Sequence, residues 1–212
     1  MTLGSESNQK DVVETLVKAL LQHHSERFNE RVLRVLNQMV SDNLDHQVNI
    51  ARAGGAEPLV LLLRDGVDSA KDYALWSLSL ALDASFFTIL TECDGIPPLV
   101  ACLTTHKRET VEQAASALAK LAACNDDARK LIGKAGGIEP LVALLDGHEA
   151  NGSEIAQQDA AAALSQLAIY PHNRVAIDRC GGIAPLVALL SSYTETLPSH
   201  SEEKVCAAAL YI

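Results

Sequence analysis

A seven-residue pattern, Gly-Gly-Ile-x-Pro-Leu-Val, recurs along the chain and limits its possible folds more than any other feature. It stands as Gly54-Gly55-Ala56-Glu57-Pro58-Leu59-Val60 and, altered, as Asp94-Gly95-Ile96-Pro97-Pro98-Leu99-Val100. It returns as Gly136-Gly137-Ile138-Glu139-Pro140-Leu141-Val142 and as Gly181-Gly182-Ile183-Ala184-Pro185-Leu186-Val187. Successive prolines of the pattern lie 40, 42 and 45 residues apart, a period that belongs to stacked helical units rather than to a closed globule. A proline-free copy, Thr15-Leu16-Val17-Lys18-Ala19-Leu20-Leu21, begins 43 residues before Pro58. The 212 residues therefore hold about four and a half copies of one unit. In such an array each copy contacts only its neighbours, so function becomes a question about a surface.

Residues 122–168 show how one unit is built. The stretch Ala128 to Ala135 has room for about two helical turns, with Leu131 and Ile132 expected to point inward. Gly136-Gly137 supplies the backbone freedom for a sharp corner, because glycine takes positive φ without a Cβ clash. Pro140 suits the first turn of the next helix, where its missing N–H costs nothing. Leu141, Val142, Leu144 and Leu145 then make an apolar stripe at helical spacing. Asp146-Gly147 ends that helix, and Ser153 is the expected N-cap of a long third helix. Ala160, Ala161, Ala163, Leu164, Leu167 and Ala168 along it are mostly small, which lets neighbouring helices approach closely. Short, middle and long helices thus repeat in every copy.

Composition excludes several classes. Hydrophobic residues make up 48% and aromatics only 4%, so leucine and alanine fill the core, as packing of helix on helix prefers. A net charge of −10 argues against nucleic-acid binding, which needs a basic stripe. No apolar run reaches the length of a membrane span, and the amino-terminal residues lack the basic-then-apolar pattern of a signal peptide. The five cysteines (Cys93, Cys102, Cys124, Cys180, Cys206) are widely spaced without a C-x-x-C pair. They read as small buried or half-buried hydrophobes in a reducing compartment. The expected location is cytoplasmic or nuclear. Asn151-Gly152-Ser153 matches a glycosylation acceptor but reads as a loop.

Catalysis needs groups converging on one pocket, and nothing in the chain supplies them. The seven histidines form no H-E-x-x-H, and no phosphate-binding or nucleophile-elbow motif is present. The Gly-Gly pairs are corners between helices, since no strand precedes them. The expectation is a non-enzyme with no cofactor and no metal.

The pattern A-G-G-I-x-P-L-V-x-L-L, together with A-A-x-A-L-x-x-L-A and N-x-x-x-I, resembles the armadillo repeat. It stands here as Ala135 to Leu145 with Ala114 to Ala122, and as Gly181 to Leu190 with Ala160 to Ala168; Asn173 and Ile177 match the segment leading into the next corner. The resemblance covers residues from about 11 to 212 and departs at the second corner, where Asp94 replaces the first glycine and Pro97 precedes Pro98. It implies an all-α, right-handed α-solenoid with three helices per complete unit. The units run at about 11–43, 44–83, 84–124, 125–170 and 171–212, the last cut short, after a disordered segment at 1–10.

The resemblance also implies a binding face. Third helices of the family line a concave surface, and importin-type and catenin-type members hold extended peptides there with an asparagine near the middle of each third helix. The matching positions here are Gln38, Leu80 (Ser79 with a one-residue gap), Lys120, Gln166 and Ile212, none of them asparagine. A backbone hydrogen bond contributes roughly 0.5–1.5 kcal/mol net, so losing four costs about 2–6 kcal/mol of peptide binding. Gln38 and Gln166 are long enough to recover part of it. Trp76 matches the tryptophan position of importin-type third helices, but Ser116 and Ala162 follow it, so there is no row of rings. Trp76 reads first as packed core and second as a single aromatic anchor. The acidic residues Asp72, Glu112, Asp159, Glu202 and Glu203, taken to open the third helices, read first as complements to the helix dipole. Their second reading is a rim for basic peptides. Ser69-Ala70-Lys71-Asp72 has capping-box spacing.

The expected function is a scaffold that binds a protein or extended peptide along the third helices. Two alternatives stand beside it: the recruitment region of a larger ubiquitin ligase or motor of kinesin type, and an importin-like cargo adaptor. The carboxyl end, Glu202 to Ile212, begins a fifth third helix and stops in its apolar middle. It is expected to leave Leu186, Val187, Leu189, Leu190, Leu210 and Ile212 partly uncovered and to favour end-to-end self-association.

Overall fold

The computed structural model describes residues 12, 15–16, 19, 25–42, 56–66, 71–72, 74–76, 78, 84–146 and 153–194. Among them every regular element is helical. The expectations for residues 1–10, for the Ser69 capping box, and for Glu202 to Ile212 lie outside the described residues. The chain divides into two compact units, 1–98 and 99–212.

In the first unit α1 runs Glu26–Asp42, α2 Ala56–Asp65 and α3 Ala84–Glu92, with further helical positions at 71–72, 74–76 and 78. Leu33, Leu59, Leu75, Leu78 and Leu90 are its most deeply buried large side chains, and α2 packs on α3. Helix α4, Ile96–Ala101, carries Pro97 and Pro98 in its first turn, where missing N–H groups cost no intrahelical bond. A 3₁₀ turn, Cys102–Thr104, follows it.

The second unit shows the three-helix repeat most completely. Its helices are α5 Arg108–Cys124, α6 Asp126–Lys134, α7 Ile138–Leu145, α8 Glu154–Leu167, α9 Pro171–Arg179 and α10 Ile183–Thr194. A single extended residue, Asn125, separates α5 from α6, and its side chain caps α6 by accepting from Ala128 N at 2.8 Å. Ser153 caps α8 as expected, its Oγ accepting from Ala156 N at 3.0 Å. The long helices α5 and α8 pack along one another. Ala114, Ala115 and Ala117 on one, and Ala160, Ala161 and Ala163 on the other, are wholly buried. Leu141, Val142, Leu144 and Leu145 are buried as the stripe requires. Ile132 is buried but Leu131 is only half-buried, so one of the two residues expected to face inward sits at the edge.

The three described corners share one geometry, and Gly54-Gly55 lies outside the described residues. Gly136 and Gly181 adopt φ of 78° and 74°, and Asp94, which replaces glycine at the second corner, keeps φ at 54°. The next residue's N–H reaches back five residues each time: Gly95 to Leu90 O at 2.9 Å, Gly137 to Ile132 O at 3.0 Å, and Gly182 to Ile177 O at 2.9 Å. Bonds spanning three residues run from Asp94 N to Thr91 O, Gly136 N to Gly133 O and Gly181 N to Asp178 O. Together these form a Schellman cap that satisfies the last carbonyls of each short helix. In the two described glycine pairs only the first glycine therefore has positive φ. Gly137 is right-handed at φ −69°; a Cβ there would lie 2.9 Å from Ile132 Cγ2 and 3.2 Å from Val100 Cγ2. The second glycine is required by close approach, which corrects the expectation that both supply backbone freedom.

Candidate protein-binding face

In the second unit the third helices α5 and α8 lie side by side, each burying one face and opening the other. The open stripe of α5 is Glu109, Glu112, Gln113, Ser116, Lys120 and Ala123. That of α8 is Ile155, Gln158, Asp159, Ala162 and Gln166, with Ile169 exposed in the turn just beyond its end. Both follow helical spacing opposite the buried alanines and leucines, so the core fixes which residues face out. Gln157 at the edge of α8 is committed to the fold: its Nε2 donates to Leu145 O at 2.5 Å, satisfying a carbonyl at the end of α7. Gln158 Nε2 reaches Glu154 Oε1 at 3.3 Å.

The structure places the expected binding residues in both units. Lys120 is exposed on α5 and Gln166 half-buried on α8, in the second unit. Gln38 is exposed on α1, and Trp76 is half-buried beside the wholly buried Ala74, Leu75 and Leu78, in the first. Ser79 and Leu80 lie outside the described residues. Packing therefore brings Lys120 and Gln166 onto neighbouring helices of one unit.

The acidic residues need a correction. The first turns of α5 and α8 are opened by Glu109 and Glu154, while Glu112 and Asp159 lie about one turn further in. Glu112 meets Arg108 in an i,i+4 ion pair, Nε to Oε1 at 3.0 Å. Complementing the helix dipole thus falls to Glu109 and Glu154, and the charge of Glu112 is shared with Arg108. Glu202 and Glu203 lie outside the described residues.

Ile155 and Ile169 are the residues that the sequence reading missed. Both are exposed, Ile155 in the first turn of α8 and Ile169 in the turn that follows its end at Leu167. The equivalent positions on α5 are Glu109 and Ala123. The signal was available in their seven-residue spacing from Ala162, but an isoleucine beside a cap is easily assigned to the core.

Among the described residues Cys93, Cys102, Cys124 and Cys180 form no disulfide. Cys102 is buried and Cys93 and Cys124 half-buried, whereas Cys180 is exposed at the end of α9, contrary to its expected burial. Burial, with smaller contributions from the carboxylates of Glu57 and Glu92, pushes the Cys93 thiol above its ordinary pKa. Among the described residues no three His, Cys, Asp or Glu side chains gather as metal ligands, and no helix is long and apolar enough to cross a membrane. Cys206 lies outside the described residues.

The profile of the armadillo/beta-catenin-like repeat matches residues 88–123 and 125–169. Armadillo repeat-containing protein 3 of Homo sapiens is 33% identical over 119 residues, which span 54% of this chain and 14% of that protein. An engineered protein of known crystal structure superposes with a TM-score of 0.82 at 30% identity, covering 94% of this chain and 47% of that chain. A designed armadillo repeat protein, solved in complex with the peptide (KR)4, superposes with a TM-score of 0.78 at 25% identity, covering 92% of this chain and 80% of that one.

Proposed function

The chain belongs to the armadillo-repeat family, and from that premise we propose that it is a non-catalytic scaffold whose third-helix face holds an extended segment of a partner protein. The observation that carries this reading is the paired open stripe of α5 and α8 above a closed alanine–leucine core. Those stripes face away from the core, which sets their outward side chains where a partner can meet them. The designed neighbour that was solved with a (KR)4 peptide supports a peptide as the class of ligand.

The same stripes weigh against an importin-like adaptor. Lys120 and Gln166 stand where a backbone-clamping asparagine is expected, and Ser116 and Ala162 where a lysine-bracketing ring is expected. Lys120 also repels a basic peptide at short range. Exposed Ile155 and Ile169 instead offer apolar anchor points at the two ends of α8. The partner segment is accordingly mixed polar and apolar, with its backbone held by Gln166 and its apolar side chains set against the isoleucines.

The test has two arms. Capture of partners by the intact chain is compared with capture by Lys120→Glu and by Ile155→Ser/Ile169→Ser, with helicity checked by circular dichroism. The substitutions should reduce capture at least tenfold at unchanged helicity. In the second arm, titration with (KR)4 peptide should give binding at least a hundredfold weaker than that of the captured segment. Unchanged capture by the variants would overturn the assignment of the face, and tight (KR)4 binding would restore the importin-like reading.

A further inference from the structure

The short first helices of the repeat, α6 and α9, lie against one another through Asn173, whose Nδ2 donates to Arg129 O at 2.9 Å. Their outward positions correspond across the 45-residue repeat: Asp127 with His172, Lys130 with Val175, and Lys134 with Arg179. All six residues are exposed. Asp127, Lys130 and Lys134 stay exposed although α9 packs on their helix. This edge is therefore open by its place in the repeat, and it lies on helices other than those of the third-helix stripes.

The edge is basic in a chain of net charge −10. The third-helix stripes carry Glu109, Glu112 and Asp159 against Lys120, whereas the edge carries Lys130, Lys134 and Arg179 against Asp127. Two further carboxylates of these helices stand off it. Asp126 is held by Arg129, and Asp178 is the counterpart of Gly133, a position that in α6 turns toward the neighbouring first helix. Among the described residues Lys130, Lys134 and Arg179 make no ion pair. Their charges are thus not neutralised within the fold. The edge also has an apolar centre. Val175 is 53% exposed, and about one turn before it the rings of Tyr170 and His172 stack with centroids 5.3 Å apart and 24° between planes. A single exposed valine is ordinary, but this one lies between a stacked ring pair and Arg179, and aromatic anchors dominate interfaces.

We propose that the outer edge of α6 and α9 is a second docking surface, which takes an acidic segment of a partner protein with an apolar side chain among its carboxylates. The carboxylates meet Lys130, Lys134 and Arg179, and the apolar side chain rests on Val175 and the Tyr170–His172 rings. Three cations around one valine suit a polypeptide better than nucleic acid, which needs a longer basic track. They suit it better than a lipid surface, which needs a wider apolar face. The surface is independent of the third-helix reading.

Amide NMR titration of the intact chain with a probe peptide of Glu-Glu-Leu triplets tests this. Shifts should cluster on α6 and α9 and weaken with added salt. A peptide of Glu-Glu-Ser triplets should bind at least threefold more weakly, and one of Lys-Lys-Leu triplets should leave these helices unshifted. The triple charge reversal Lys130→Glu/Lys134→Glu/Arg179→Glu should weaken binding of the acidic peptide at least tenfold, and Val175→Ser at least threefold, at unchanged helicity. The proposal is overturned by shifts confined to α5 and α8, by no shifts on α6 and α9, or by an affinity that charge reversal leaves unaltered. It is overturned too if phosphatidylserine vesicles or a DNA duplex bind this edge more tightly than the acidic peptide, which would make a membrane or nucleic acid the occupant.

Discussion

Asn173 and Gly133 are expected to be energetically coupled strongly enough to reverse the sign of a substitution. Asn173 is a buried polar residue in the first turn of α9. Its Nδ2 donates to Arg129 O on α6 at 2.9 Å and to Leu167 O at the end of α8 at 3.1 Å. One side chain thereby ties together three helices of the second unit. Two hydrogen bonds at roughly 0.5–1.5 kcal/mol each put the cost of Asn173→Ala at about 1–3 kcal/mol. For a chain of this size that is a fall in Tm of roughly 2–12 °C. Gly133 lies within α6, and a Cβ there would overlap Asn173 Oδ1. Gly133→Ala alone therefore gains about 0.5–1 kcal/mol of helix preference but incurs about 1–3 kcal/mol of overpacking, a net loss. In the Asn173→Ala background the overlap is gone and the same substitution should stabilise by about 0.5–1 kcal/mol. Urea unfolding of the four proteins of the cycle measures the coupling, with hydrogen exchange over residues 126–180 checking that the change is local. Effects that add to within about 0.5 kcal/mol would mean that Asn173 does not occupy the space beside Gly133.

Asp94→Gly should stabilise the first unit by up to about 1 kcal/mol, because aspartate at φ 54° bears a left-handed strain that glycine avoids; no gain in urea would refute this. Gly136→Ala, with open space around its Cβ position, should cost about 1–2 kcal/mol from backbone strain alone. Gly182→Ala should cost about 1–3 kcal/mol from overpacking, because its Cβ would meet Ile177 and Val142 at 2.9 Å, and Val142→Ala should recover part of that loss. The raised pKa of Cys93 keeps its thiol protonated to higher pH in the folded state than in the unfolded one. Stability from this group is therefore present at low pH and declines as pH rises through the ordinary thiol range; alkylation of Cys93 that follows the pH profile of an unstructured thiol would refute it.

The corner could be read from sequence because each part of it has its own chemical signature. A glycine pair after a helical stretch, a proline three residues later and an apolar triplet together specify a Schellman turn followed by a helix start. The second corner tests that reasoning. Asp94 breaks the glycine pattern, yet the backbone keeps both the left-handed angle and the five-residue hydrogen bond. Aspartate tolerates that conformation better than most residues, and the packing of Val60 and Leu90 around Gly95 holds it there. The caps at Asn125 and Ser153 differ in how openly they announce themselves. Ser153 follows a polar loop and was legible as an N-cap, while Asn125 sits between two helical stretches with no visible break.

The open face was much less legible, for a physical reason. Helical periodicity reports which residues must leave water, and it leaves the opposite side nearly unconstrained. Ala162 and Ser116 match by alignment but say nothing of the isoleucines that flank one and the glutamate and alanine that flank the other. Asn173 shows the same limit inside the core. The family pattern marks the position, but its two acceptors lie 44 and 6 residues away in sequence, and the need for Gly133 beside it arises only when α6 and α9 are packed together. A repeat keeps its period where each copy must fit the next, as at Val60, Val100 and Val142. Individuality accumulates where no neighbouring copy presses. The binding preference of this chain is therefore to be sought where α5 and α8 differ from each other: at Glu109 against Ile155, at Lys120 against Gln166, and at Ala123 against Ile169.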